Sequence, residues 1–219
     1  LAVGDNHNCA IDMDGYIDCW GDDTYNQVTA APTTQFATIY AGDNFTCALD
    51  ASGVASCWGE DSYLQATQTL TGSYDALSLG SDVGCGMDSS GLIQCWGNVG
   101  KSVSNPPNQV VYDMDIAEMH GCAVTANPAY GISCWGVDDY GQATPPDTEW
   151  ESVDSGWYHA CAIDILGQMA FLIGTSFLPI ELTNKQEAVL IQKAKEIQYT
   201  TIILNCNPYP SNKKRPMMG

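Results

Sequence analysis

Residues 9–21 read CAIDMDGYIDCWG, and three later stretches repeat this arrangement of cysteine, turn and Cys-Trp-Gly. The copies are CALDASGVASCWG at 47–59, CGMDSSGLIQCWG at 85–97 and CAVTANPAYGISCWG at 122–136. Their first cysteines follow one another at intervals of 38, 38 and 37 residues. Four matches of this length do not arise by chance, so the chain contains an internal repeat with a period of about 38 residues.

A fifth copy begins at Cys161 as CAIDILGQMA and then departs from the pattern, with Phe171 standing where the second cysteine should be. We therefore expect two regions. Residues 1–170 form the repeats, in units that start near residues 1, 39, 77, 114 and 152. Residues 171–219 form a divergent tail.

Each unit has the pattern of a β-hairpin. The turns Asp12–Gly15, Asp50–Gly53 and Asp88–Gly91 suit a chain reversal, because Asp bonds its own backbone and Gly takes positive φ. The fourth unit has a longer turn, from Thr125 to Gly131. Another alternating strand lies upstream of each hairpin. Units of about 40 residues built from short strands predict an all-β fold, a partial β-propeller of four to five blades.

Eight of the ten cysteines fall at facing positions of these hairpins. An even separation across a symmetric turn puts both side chains on one face, close enough for a disulfide. Zinc is a weaker alternative because Cys-x9-Cys lacks the usual ligand spacing, and free thiols are the other. Closing so short a loop stabilises the fold by roughly 2–3 kcal/mol. The predicted pairs are Cys9–Cys19, Cys47–Cys57, Cys85–Cys95 and Cys122–Cys134.

The charge of the chain excludes several classes of partner. The net charge is −19, and residues 1–170 carry 23 acids and one base, Lys101. Such a surface repels phosphate, so we expect no binding to nucleic acid or to an anionic membrane. No uncharged run of 18 apolar residues occurs, and we expect no membrane insertion. Ten cysteines in 219 residues favour an oxidising compartment, extracellular or at the cell surface.

The unit resembles the repeat of the regulator of chromosome condensation, in the cysteine-bearing form common in secreted bacterial proteins. This resemblance covers about residues 1–170 and implies a β-propeller, usually of seven blades, with faces that bind proteins. Only four units and part of a fifth are present, so we expect an incomplete ring or a fragment. In the first unit the matching residues are Gly4, His7, Cys9, Gly15, Cys19, Trp20, Gly21, Tyr25 and Gln27.

Three histidines each stand two residues before a cysteine: His7, His120 and His159. Phe45 and Val83 take the same position in the other units, which indicates a packing role rather than a metal site at the centre of the ring. The tryptophans of Cys-Trp-Gly are expected to pack between blades.

Acidic residues that follow Trp-Gly are a candidate calcium site, because paired loop carboxylates can hold this ion. The alternating Asp pattern of a full calcium loop is missing, so solvated turn acids are the preferred interpretation and we expect no cofactor. These residues are Asp22, Asp23, Glu60, Asp61, Asp138 and Asp139.

Aromatic residues in the inter-strand loops are the candidate partner-binding residues. Tyr25, Tyr63 and Tyr140 recur beside acids, and Trp150 and Trp157 lie outside the Cys-Trp-Gly register. Aromatic anchors with an acidic rim suit a protein partner with a basic surface. The alternative is that the tyrosines only pack their own loops. We expect a non-catalytic, extracellular or cell-surface protein-binding module.

Two other functions are alternatives to a binding module. A secreted, glycosidase-like hydrolase could use a pair of loop carboxylates, although nothing in the sequence singles out one pair. The sequence has no G-x-S-x-G motif, and residues 1–170 contain no arginine to bind a substrate carboxylate. Guanine-nucleotide exchange, the activity of the family's namesake, is opposed by the acidic charge and by the cysteine pairs.

The sequence of the tail, residues 171–219, predicts a short α/β element with a helix near residues 183–198. It is either an appended element or the product of a shifted or chimeric reading frame that interrupts the fifth unit. Cys206 is the one cysteine left that could pair with Cys161. An incomplete ring would also leave an open edge, through which we expect self-association.

Overall fold

The described residues form five antiparallel sheets of three strands, one for each repeat unit, with the strand order of each sheet following the chain. Within them, the single helical element is a 3₁₀ turn at Ser102–Ser104. The prediction of an all-β, partial propeller is therefore confirmed. The computed structural model describes residues 1–68, 71–127, 130–139, 141–145, 149–157 and 159–163, and the backbone of 164 and 169–172.

The strands are short, as the spacing of the turns predicts. They are β1 (Ala2–Val3), β2 (His7–Ile11), β3 (Ile17–Gly21), β4 (Thr38–Ala41), β5 (Phe45–Leu49), β6 (Ala55–Gly59), β7 (Tyr74–Leu79), β8 (Val83–Asp88), β9 (Ile93–Gly97), β10 (Val111–Ile116), β11 (His120–Thr125), β12 (Gly131–Gly136), β13 (Trp150–Ser155), β14 (Ala160–Asp164) and β15 (Met169–Leu172).

The fifth blade keeps its third strand although it lacks the second cysteine. Phe171 in β15 faces Cys161 in β14, the register that the cysteines take in the other blades. Strand β15 continues to Leu172, past the predicted boundary at residue 170. Cys161 is disulfide-bonded. The rest of the tail, with the predicted helix near 183–198 and Cys206, lies outside the described residues.

The first strand of each blade contacts the first strand of the next, so these strands surround a common axis. The side chain of Asp115 in β10 ties three blades together near this axis. It accepts hydrogen bonds from the hydroxyl of Ser78 in the third blade (2.6 Å) and from the backbone N–H of Ser155 in the fifth (2.7 Å). In the part of the chain that is described, no helix is long and apolar enough to cross a membrane.

Disulfides join the second and third strands of the first four blades. The bonded cysteines are directly opposite in register, with Cα atoms 4.0–4.1 Å apart. Each bond closes the hairpin at the middle of its two strands. The bonds are Cys9–Cys19, Cys47–Cys57, Cys85–Cys95 and Cys122–Cys134.

The repeated tryptophans of the second, third and fourth blades each join their blade to the one before it. The indole Nε1 of Trp58 donates to the carbonyl of Gln27 in the preceding unit (2.9 Å), and Trp96 donates to the carbonyl of Gln65 (2.9 Å). The third inter-blade loop contains neither Tyr nor Gln at the matching positions. There the carbonyl of Val103 accepts from Trp135 (2.7 Å). The bond therefore survives a change in the side chain of the acceptor residue.

The tryptophan of the first blade is far more exposed than those of the next three blades. Trp20 is 49% exposed, whereas Trp58, Trp96 and Trp135 are 5%, 1% and 9% exposed. Leu1 and Val3 are also exposed, and Val3 and Trp20 both pair with Asn8, so these two side chains lie on the same face of the sheet. Among the described residues, no preceding blade covers this surface.

We predict that the chain self-associates through this surface in a manner that depends on concentration and salt. Exposed apolar area and an uncovered tryptophan favour contact between copies, while the acidic charge repels them. Raising the salt from about 0.01 to about 0.15 M shortens the Debye length from about 30 to about 8 Å and should shift the population toward oligomers. Sedimentation velocity across this range measures the shift.

The Trp20→Lys variant should remain monomeric at salt concentrations where the wild type associates. Tyr63→Lys is the matched control, since it places the same charge at a tyrosine that is 50% exposed in the second blade. A wild-type chain that stays monomeric at every salt concentration, or equal effects of the two variants, would contradict the prediction.

Candidate functional site

Five equivalent turns meet around the propeller axis and line a cavity of about 230 Å³. Each turn joins the first strand of a blade to the second. We call this opening the mouth, and the end of the propeller on which it lies the mouth face. The turn residues that line it are Gly4–Asp5, Gly42–Asp43, Gly80–Ser81, Ala117–Glu118 and Gly156–Trp157.

Small residues at the first position of these turns allow the blades to converge. A Cβ added to Gly42 would lie 2.3 Å from the carbonyl oxygen of Gly80, and one added to Gly4 would lie 2.5 Å from the carbonyl oxygen of Gly42. The backbones of neighbouring blades therefore touch here, and only glycine or a slightly shifted alanine such as Ala117 fits.

The second position of the turns gives the mouth its charge. Asp5, Asp43 and Glu118 contribute three carboxylates, and Asp82 follows in the third turn. Lys101 reaches this cluster from the third inter-blade loop. Its Nζ lies 2.9 Å from Asp82 Oδ1 and 3.6 Å from Glu118 Oε1. The mouth thus remains acidic although the only basic residue of the first 170 is placed there.

Asp43 has the most perturbed carboxyl group of the mouth. Burial raises its pKa from 3.8 to about 6, and the charges of Asp5 and Glu118 add to the rise, with Lys101 acting against it. A carboxyl group with this pKa exchanges its proton near neutral pH, which is unusual for an aspartate.

Two of the predicted partner-binding tyrosines lie in loops that leave from the mouth face. The third strand of a blade ends there, because Gly21 pairs with His7 and the N–H of Asp22 donates to the carbonyl of Asn6. The loops that follow carry Tyr25, 43% exposed, and Tyr63, 50% exposed.

The two tryptophans predicted to bind a partner, Trp150 and Trp157, lie in different environments. Trp157 lines the mouth and is 55% exposed. Trp150 is a core residue, 3% exposed and packed with Val124 and Val153, so its prediction as a surface contact is wrong. Tyr140 lies outside the described residues.

The acids of the inter-blade loops form hydrogen bonds within their own loops. Asp23 Oδ1 accepts the backbone N–H groups of Val28 and Thr29, and these two bonds lower its pKa. Asp61 Oδ1 accepts the equivalent two backbone N–H groups in its loop, and Asp138 accepts the backbone N–H of Ala143 and the hydroxyl of Thr144. Among the described residues, no group of three or more His, Cys, Asp or Glu side chains is arranged to hold a metal ion.

The histidines fill the packing position that the sequence indicates. His7 and His120 are fully buried, and His7 Nε2 lies 2.7 Å from Thr46 Oγ1. Burial lowers the pKa of His120 to about 4, and the charge of His159 adds to the effect. These imidazoles are neutral side chains of the interior, as Phe45 and Val83 are in the other blades.

The mouth itself was missed by sequence reasoning, because its residues come from five units and form no local motif. The sequence nevertheless contains a pattern that indicates the mouth. Aligning the units puts a small residue at positions 4, 42, 80, 117 and 156, and an acid follows it in three of the five units.

Comparison with known proteins agrees with this architecture. Residues 1–27 and 36–65 match the family model of the regulator of chromosome condensation (RCC1) repeat. A comparison with curated protein sequences gives no match.

Solved structures with similar folds include two plant receptor ectodomains. The ectodomain of receptor kinase CR4 from Physcomitrella patens is 25% identical, with a TM-score of 0.67 over 78% of this chain and 51% of that one. The CRINKLY WD40 ectodomain of ACR4 from Arabidopsis thaliana is 21% identical, with a TM-score of 0.65 over 81% and 65%.

Prp20p from Saccharomyces cerevisiae also has this fold. It is 18% identical, with a TM-score of 0.62 over 78% of this chain and 56% of that one. The chain thus spans between half and two thirds of the length of these three structures.

We predict that Asp43→Asn stabilises the protein at neutral pH and not in acid. Because the folded-state pKa of Asp43 lies above its unfolded value, the neutral carboxyl favours folding below about pH 4. That contribution is lost as the pH rises through about 6. The variant should therefore gain about 1 kcal/mol at about pH 7.5, allowing for solvent screening, and nothing at about pH 3.5.

Urea unfolding at both pH values measures this difference. Asp14→Asn, which removes an exposed acid from the opposite end of the first blade, controls for the loss of one negative charge. A gain for Asp43→Asn at neutral pH no larger than that of the control would show that the carboxyl of Asp43 is not perturbed.

Proposed function

Because the chain is a disulfide-bonded β-propeller of RCC1-like repeats, we propose that it is a non-catalytic protein-binding module that acts outside the cell or at its surface. The partner, in this proposal, presents a basic surface to the mouth face. The observation that carries the proposal is the convergence of Asp5, Asp43 and Glu118 around one opening, beside the exposed Trp157.

The electrostatics of the mouth favour a cationic group. Three carboxylates share a small opening, and Lys101, the one lysine or arginine among the described residues, already contacts Asp82 and Glu118. A lysine or arginine side chain entering beside Asp5 and Asp43 would relieve the repulsion between them. Complementary charge of this kind speeds association and selects the partner.

The aromatic residues of the mouth face supply the apolar part of such an interface. Trp157, Tyr25 and Tyr63 expose between 43% and 55% of their surface. Tyrosine and tryptophan are the residues most often found at the energetic centres of protein interfaces, where an apolar ring and a polar tip are used together. Here Trp157 lines the acidic mouth, and Tyr25 and Tyr63 lie in loops that leave from the same face.

Location outside the cell is supported by the disulfides. Four hairpins each close on a bond between directly facing cysteines, and bonds of this kind persist in oxidising compartments. Two of the structures with the same fold are named as receptor ectodomains. Yeast RCC1 (Prp20), which shares the fold, has been crystallised bound to the protein Kap60.

A glycosidase-like hydrolase is the second candidate, and the raised pKa of Asp43 is the observation that favours it. Glycoside hydrolysis needs one carboxylic acid that stays protonated near neutral pH and a second, ionised carboxylate. Asp43 and Asp5 could take these roles. Turnover of an oligosaccharide panel that disappears in Asp43→Asn would support the hydrolase over the binding module.

Capture experiments with matched charge variants test the binding proposal. The oxidised chain is immobilised and exposed to the extracellular fraction of its own cells, and captured proteins are identified by mass spectrometry. We expect a protein with a basic surface, captured by wild type and lost about tenfold or more by the double variant Asp5→Asn/Asp43→Asn.

The control is Asp14→Asn/Asp75→Asn, which removes the same charge from exposed positions at the opposite end of the blades. It should capture the partner as the wild type does. Equal losses in both double variants would mean that bulk charge, and not the mouth, attracts the protein, and would contradict the proposal.

A further inference from the structure

Two exposed tyrosines of the fourth blade lie against each other on the face opposite the mouth. Tyr112 in β10 is 47% exposed, and Tyr130, in the turn between β11 and β12, is 38% exposed. Their ring centroids are 5.6 Å apart with an interplanar angle of 32°. We refer to Tyr112 and Tyr130 as the tyrosine pair.

Tyr130 holds a backbone position that belongs to glycine in the other blades. It lies four residues before the second cysteine, as Gly15, Gly53 and Gly91 do. Its φ is 62°, against 91°, 80° and 75° for those glycines. The sequence suggests Gly131 as the turn glycine, so the positive φ of Tyr130 is a departure from expectation. Positive φ is disfavoured for a bulky side chain.

The carbonyl of Tyr130 nevertheless makes the same hydrogen bond as the glycines. It accepts the backbone N–H of Trp150 at 2.7 Å, as the carbonyl of Gly91 accepts the backbone N–H of Val111 at 2.8 Å. The fold therefore requires the backbone conformation at this position, and it does not require the tyrosine side chain.

Tyr112 occupies a β-bulge. The register of β10 with β11 shifts between Val111 and Asp113, which leaves Tyr112 unpaired and turns its side chain outward. The equivalent residues are Asp75 in the third blade and Glu151 in the fifth, and both are exposed acids. Of these three blades, only the fourth has an aromatic residue there.

In a repeat protein, equivalent positions of the different units can be compared with one another. Residues that every copy shares serve the packing of blades, and an exposed residue that one copy changes is not needed for that packing. Here two changes in one blade come together in space, and one of them strains the backbone. Strain that the fold does not need is an indication of function.

The charges beside the tyrosine pair indicate which ligand it would accept. Glu149 and Glu151 flank Trp150, whose backbone N–H donates to the carbonyl of Tyr130, and both glutamates are exposed. Aromatic faces with carboxylates beside them suit a guanidinium group, which stacks on a ring and bonds carboxylates with its edge.

We propose that the tyrosine pair is a docking site for an arginine-bearing peptide segment of a partner protein. The guanidinium stacks on the exposed ring faces, and Glu149 or Glu151 accepts its N–H groups. This site lies at the hairpin end of the fourth blade, where Val111 pairs with Thr125, and is separate from the mouth. It does not depend on the function proposed for the mouth.

Titration calorimetry with the oxidised full chain tests the proposal. The probes are a hexa-arginine peptide and a hexa-lysine peptide of the same charge, at physiological salt. The wild type should bind the arginine peptide more tightly than the lysine peptide. Tyr130→Gly and Tyr112→Asp, which introduce residues that the chain itself uses at the equivalent positions of other blades, should each weaken the preference for arginine over lysine about fivefold.

Tyr16→Val is the matched control, because it removes another exposed tyrosine at a hairpin of the same face and introduces the residue found at position 54. It should bind both peptides as the wild type does. An unchanged preference for the arginine peptide in both pair variants would overturn the proposal. The proposal would also be overturned if an oligosaccharide bound the wild type but not the two pair variants, while the arginine peptide bound all three equally.

Thermal unfolding separates a binding role from a structural one. Glycine accepts the backbone conformation of residue 130 without strain, so Tyr130→Gly should have a Tm equal to or above that of the wild type. A lower Tm for Tyr130→Gly would mean that the pair stabilises the blade, and would overturn its assignment as a docking site.

Discussion

The hydrogen bond that Trp58, Trp96 and Trp135 each donate to a backbone carbonyl of the preceding unit is the interaction on which this propeller depends. A single blade of three short strands cannot bury both of its faces, so its stability comes from its neighbours. The indole covers one such face and satisfies its polar N–H in the same step, as Trp58 and Trp96 do. The bond to Val103 shows that the backbone of the acceptor loop, and not its side chain, is what matters.

Convergence at the axis follows from this stacking and creates the mouth. Turns that touch through glycine carbonyls leave little room, so the next residue of each turn must point into or around the opening. The acid at position 43 is costly, because burial and the neighbouring charges raise the pKa of its carboxyl group. Asp23, in contrast, has its carboxylate bonded to two backbone N–H groups. The acidity of the chain therefore has two origins, loop structure away from the axis and a cluster at the mouth that Lys101 compensates only in part.

Local sequence patterns are sufficient to predict the hairpins, because turn, strand and cysteine pair all lie within 15 residues or fewer. They are insufficient wherever contacts join different units. The position of Trp150 outside the Cys-Trp-Gly register suggests a surface residue, yet Trp150 replaces Phe36 and Tyr74, which are buried at the same place in their blades. The tyrosine pair has no signal in the sequence, because a bulge and a positive φ bring Tyr112 and Tyr130 together.

The most direct test of this account compares the same substitution in two blades. Trp96→Phe removes the indole N–H from a buried inter-blade contact, whereas Trp20→Phe alters a residue that is 49% exposed and has no preceding blade among the described residues. Urea unfolding of the oxidised monomer at low salt should show a loss of about 1–3 kcal/mol for Trp96→Phe and less than about 0.5 kcal/mol for Trp20→Phe. Equal losses for the two variants would contradict the claim that the tryptophan stabilises the fold through the neighbouring blade.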